Sequence, residues 1–188
     1  MAFRMNRRPM RTVLFKQRFV LLLALAGAIT AAQNSTSLPH IEGTSLAGMQ
    51  VVLPDAAHGK TAVLIFGFSK ASKDASSAWA QKLYGDFGGR ADFAAYQLPV
   101  LEGAPSLIRG MIVSSMKKGV PENQRAFFVP LAKGEAELKK LVSFKESDDA
   151  YLVTLDASGQ IVHQRHGPFR DADYAALRAE LQAMLNGK

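Results

Sequence analysis

The sequence predicts an α/β domain with a mixed β-sheet flanked by helices, and three observations carry that reading. The run TAVLIFG (Thr61 to Gly67) is continuously apolar and partly β-branched, which suits a strand covered on both faces. Strand-like and helix-like segments alternate through the middle of the chain. Near the end, two strand-like runs flank the turn DASG before a closing helix. The expected order is β-β-α-β-α-β-α-β-β-α, without internal repeat or second domain.

Residues 1–32 read as an export signal helix, either cleaved or kept as a membrane anchor. A cationic start precedes the apolar stretch FVLLLALAGAITAA (Phe19 to Ala32), and small residues at Thr30 and Ala32 allow cleavage before Gln33. Its 14 apolar residues fall short of the roughly 20 that span a bilayer. Arginine richness without acids also fits a mitochondrial presequence, and Arg7-Arg8 resembles a twin-arginine signal in part. Residues 33–48, rich in Ser, Thr and Gly, read as a polar linker, and 49–188 as the domain.

Within the domain, Gln50 to Leu53 is a short strand, Asp55 to Gly59 a turn, and Thr61 to Gly67 the central strand. Asp74 to Phe87 is a helix with Trp79, Leu83 and Phe87 in one stripe, stopped by Gly88-Gly89. Phe93 to Leu98 is a strand ending at Pro99. The strongest helical pattern is Pro105 to Lys118: Pro in the first turn, an apolar face of Leu107, Ile108, Met111, Ile112 and Met116, and two lysines before Gly119. Ala126 to Val129 is expected as a strand and Glu135 to Val142 as a helix. Ala150 to Leu155 and Gln160 to His166 form a hairpin whose Gly159 supplies positive φ. A helix from Asp171 closes the domain, with Tyr174, Leu177, Leu181 and Leu185 inward.

Charge and cysteine content exclude several functions. The formal +7 of the 188-residue chain suggests nucleic acid until the charges are located: residues 1–34 carry six cations and no acid, whereas the other 17 basic residues face all 16 acids. The body is therefore near +1, and a nucleic-acid partner is not expected. Without cysteine the chain forms no disulfide, thiolate metal site or cysteine nucleophile. Its core alone must stabilise it, which a body of about 155 residues does by burying close to 70% of its unfolded surface.

The strand-turn-helix at FGFSKASKDAS (Phe66 to Ser76) resembles the FGFT-x-C-P-x-x-C segment of Sco proteins, with Ala71 and Ala75 at the two cysteine positions. FKESDDAYLVTLDASGQIV (Phe144 to Val162) is similar to the Sco segment that carries a copper-binding histidine, and that histidine is missing too. An alignment with thiol oxidoreductases places Ser69 and Ser72 on C-x-x-C, with no proline before the Tyr151 strand. The resemblance implies a thioredoxin-like fold of Sco and peroxiredoxin type without redox machinery. From about Thr61 to Leu185 the chain also resembles the mitochondrial chaperones that assist assembly of the membrane sector of ATP synthase. The YL-x-x-x-D-x-x-G-x-I-x-x-x-x-x-G run carries most of that similarity. It implies a non-catalytic assembly factor whose partner is another protein, such as a membrane-complex subunit, with no cofactor.

The turn Ser69, Lys70, Ala71, Ser72, Lys73 offers helix-start N–H groups and two lysines to an anion or an acidic partner segment. In the plainer reading Ser72 or Asp74 caps the helix and the lysines are solvated. Arg109 and Lys117, on the exposed side of the middle helix, are a second candidate surface. Met111 and Met116 are expected in the core. His163 and His166 lie three apart on a strand, so they face opposite ways and cannot share a metal. Asp148 and Asp149 read as solvated loop acids. Asn34-Ser35-Thr36 forms a sequon without expected consequence in a bacterial export context. The leading expectation is an exported protein-binding factor, periplasmic or anchored facing the periplasm. Two others remain: an enzyme using the hydroxyl of Ser69 or Ser72, and a metallochaperone using His and Met.

Overall fold

The structure is a computed structural model that describes residues 37–187. The leader and the sequon lie outside the described residues. A four-stranded mixed sheet has the order β4-β3-β5-β6, and a separate antiparallel pair, β1-β2, is built from Ile41–Thr44 and Gln50–Leu53.

Strand β3 (Thr61–Gly67) is buried at all seven positions because it has a neighbour on each side: β4 (Phe93–Pro99) runs parallel to it and β5 (Ala150–Leu155) antiparallel. This is the central position its unbroken apolar run predicts. Strand β6 (Ile161–Gly167) pairs antiparallel with β5. The intervening turn is held by Asp156, whose Oδ1 accepts hydrogen bonds from the Ser158 and Gln160 amides and the Ser158 hydroxyl, while Gly159 takes φ 84°. Burial raises the carboxyl pKa of Asp156, but those hydrogen bonds outweigh it and hold the group below the usual carboxylate range.

Each sheet face carries its own core. On one side lie α1 (Lys73–Phe87), through Trp79, Ala80, Leu83 and Phe87, and α4 (Asp171–Asn186), through Tyr174, Leu177, Leu181 and Leu185. Both stripes are those the periodicity predicts. The opposite face, with Leu64, Phe66, Leu98, Tyr151 and Val153, is covered by the β1-β2 pair, by α3 (Glu135–Leu141) through Leu138, and by Val129 and Leu131.

Three expectations are corrected. The stretch read as a polar linker contains β1 and contributes buried Leu38, Ile41 and Leu46. Its few apolar residues are placed by pairing with β2, and Gly43 leaves room for Val129, whose Cγ1 would lie 2.5 Å from any added Cβ. The expected strand at Ala126 to Val129 is displaced: Glu122–Phe127 winds as a 3₁₀ helix after Pro121, and only residues 128–131 extend beside β4. There the Val129 and Leu131 amides donate to Gln97 and Pro99, with donor-less Pro130 between them.

The third correction concerns α2 (Ser106–Gly119), none of whose residues is buried. Met111, expected in the core, is 72% exposed, and Met116 is only half-buried. Amphipathic periodicity reports an apolar stripe but not what covers it. None of the described helices is long and apolar enough to cross a membrane.

Candidate functional site

The turn between β3 and α1 is folded tightly on its own serines. Ser69 Oγ donates to the Ser147 carbonyl at 2.6 Å and accepts from the Ala71 and Ser72 amides at 3.0 and 3.3 Å. Ser72, 1% exposed, donates its hydroxyl back to the Ser69 carbonyl at 2.9 Å. Ser72 therefore occupies the N-cap position without capping, and no side-chain bond caps α1. That corrects the capping part of the plainer reading, while Lys70 and Lys73 are exposed as it expects. Gly67 permits this packing, since a Cβ there would meet Ser72 Oγ at 2.7 Å and Ser76 Oγ at 3.1 Å.

These bonds limit what the turn can do chemically. Both serine protons are committed to backbone carbonyls, so neither hydroxyl is poised beside a base. The Ala71 and Ser72 amides, which an anion would need, already bond to Ser69 Oγ. The exposed ammonium groups of Lys70 and Lys73 remain, and neither forms an ion pair among the described residues.

Beside the turn stands an aromatic wall that sequence reasoning missed. Phe68 meets Phe144 and Tyr151 edge-on, with centroids 5.2 and 5.5 Å apart, and Lys139 Nζ lies 4.6 Å above the Phe144 ring. The Tyr151 hydroxyl accepts from the Lys145 and Glu146 amides and donates to the Glu146 carbonyl, which fixes the 143–149 loop. His166 stacks on Tyr151, its Nδ1 2.6 Å from Oδ2 of Asp149. Asp149, read as a solvated loop acid, has a side chain only 15% exposed and belongs to this cluster. Only the strand register shows this: Tyr151 pairs with His166, and the loop acid lies just before them. His163, as its spacing predicts, faces the other way, toward Glu180 of α4.

Tyr151→Phe is expected to cost about 1–3 kcal/mol, because it leaves two loop amides without their acceptor. Urea denaturation would measure the loss, and amide exchange at Lys145 and Glu146 should accelerate more than at β5.

Of the second candidate surface, Arg109 is committed to structure: its guanidinium donates to the carbonyls of Ala104 and Glu102 at 2.8 and 2.7 Å. Lys117 is exposed in the last turn of α2. A pocket of about 380 Å³ lined by Gln81, Tyr84, Asn123 and Phe127 lies toward the other end of α1 from the turn. Among the described residues no group of three or more His, Cys, Asp or Glu side chains could hold a metal ion.

This architecture recurs in solved structures. A protein assigned as the thiol:disulfide interchange protein DsbE of Chlorobium tepidum superposes with TM-score 0.58 at 20% identity, covering 80% of this chain and 96% of its own. The fold is thioredoxin-like. BsSco, a member of the Sco family of cytochrome c oxidase assembly proteins, gives TM-score 0.57 at 10% identity, covering 82% and 96%. The exposed lipoprotein thioredoxin Etrx1 of Streptococcus pneumoniae gives 0.52 at 16%, covering 74% and 98%. No protein-family model and no curated protein matches the sequence. The thioredoxin-like frame is thus present in a chain without a single cysteine.

Proposed function

We propose that this chain is an exported, non-catalytic thioredoxin-like protein that binds another protein and assists assembly of a membrane complex. The observation that carries the reading is the serine-locked turn: at the helix start where a thioredoxin-like frame would present reactive sulfur, the hydroxyls of Ser69 and Ser72 serve the backbone. The export signal expected over residues 1–32 supports a location at or outside the membrane. Resemblance to the ATP synthase assembly chaperones suggests the membrane sector of that enzyme as one such complex. Lys70 and Lys73 would meet an acidic segment of the partner. Arg109 acts here through the loop it closes.

The test is turnover. Purified protein incubated with thiol, disulfide, peroxide and ester reporters is expected to give no rate above buffer. A rate abolished by Ser72→Ala would contradict the proposal and establish an enzyme with a serine active site.

A further inference from the structure

Helix α2 carries three of the large apolar side chains most exposed among the described residues: Leu107 at 94%, Met111 at 72% and Ile108 at 42%. Its half-buried residues, Arg109, Ile112, Val113 and Met116, define the inner face. Helical spacing then aligns Leu107, Met111, Ser114 and Lys118 outward, with Ile108 and Lys117 at the flanks. The outer face is apolar in its first half and cationic at its end.

Charge indicates what covers it. Helix α2 has no acid, and of its three cations Lys117 and Lys118 lie at the end of this face while Arg109 turns inward to backbone carbonyls. Of the 17 basic residues beyond position 34, the 14 outside α2 face 16 acids, so the rest of the body is slightly negative. Lys117 and Lys118 enter no ion pair among the described residues. Apolar side chains standing clear of the surface beside unpaired lysines match the layered chemistry of a bilayer, with acyl chains beneath anionic headgroups. We propose that the outer face of α2 docks on a membrane surface rich in anionic phospholipid, inserting Leu107 and Met111 and placing Lys117 and Lys118 among the headgroups. This goes beyond the protein-binding reading and does not depend on the turn.

The test uses the full chain with Leu107→Trp, on vesicles of phosphatidylglycerol and phosphatidylcholine with brominated acyl chains. Native Trp79 is buried and gives a background to subtract. A reporter on α2 reads insertion there whatever the leader does. Emission of the introduced indole should shift to the blue and be quenched on anionic vesicles. Adding Lys117→Glu and Lys118→Glu should weaken this effect at least roughly thirtyfold, since each lysine near an anionic surface contributes about 1 kcal/mol and about 1.4 kcal/mol is tenfold. A control indole introduced by Ala172→Trp, at an exposed position on α4, should stay unquenched. Emission of the α2 reporter unchanged from buffer, or no more quenched than that of the α4 control, would overturn the proposal. A blue shift without lipid that grows with protein concentration would assign the face to a second copy of the chain and overturn it equally.

Discussion

Replacing Phe66 with alanine is expected to destabilise the domain by about 3 to 5 kcal/mol, the range for truncating a buried aromatic. Phe66 has no exposed surface and sits in the central strand between Leu98 of β4 and Tyr151 of β5. Its ring stacks near that of Phe68, with centroids 6.4 Å apart, so the cavity would open beneath the aromatic wall beside the turn. Strands β4 and β5 hold β3 by backbone bonds, so the site cannot close by collapse and the cavity cost persists. Chemical denaturation measures the loss. A value below about 1 kcal/mol would mean that β3 is peripheral, contrary to the sheet order.

A comparable loss, again about 3 to 5 kcal/mol, is expected for Trp79→Ala on the opposite sheet face. Trp79 meets Phe169 edge-on at 5.3 Å, lies 6.3 Å from Tyr174, and donates its indole N–H to the Gly167 carbonyl at 3.4 Å. One side chain thereby ties α1 to the end of β6 and the start of α4. Phe66 and Trp79 belong to separate core clusters, so their effects should add to within about 0.5 kcal/mol. Denaturation of the two single variants and the double variant checks this. The combined loss is comparable to the whole stability of a typical domain, about 5 to 15 kcal/mol, so the double variant should be largely unfolded at about 37 °C.

The sheet and both helices of the α1/α4 face were legible in the sequence because burial writes itself into periodicity. Thr61 to Gly67 had to be central, and the stripes of Trp79 and Leu177 had to face inward. Coverage from elsewhere in the chain was not legible. Ile41 to Thr44 becomes a strand only by pairing with Gln50 to Leu53. The apolar side of α2 looked like core although nothing among the described residues covers Met111. Local hydrogen bonds were hidden for the same reason: a serine at a helix start reads as a cap, and only the folded turn shows Ser72 reaching back to the Ser69 carbonyl. The pair of Asp149 and His166 depended on strand register across 17 residues, which composition does not carry.

The central claim is that the turn binds rather than reacts, and partner capture tests it most directly. Crosslinked capture from native membranes would compare the wild-type chain with a variant carrying Lys70→Glu and Lys73→Glu. Both lysines are exposed, so the unfolding midpoint should hardly move, with a change within about 0.5 kcal/mol. At low ionic strength the variant should capture its partners several times less efficiently, and the difference should shrink as salt screens the charges. Equal capture of the same partners at low salt would contradict the account and leave the turn as a serine-braced helix start without a binding role.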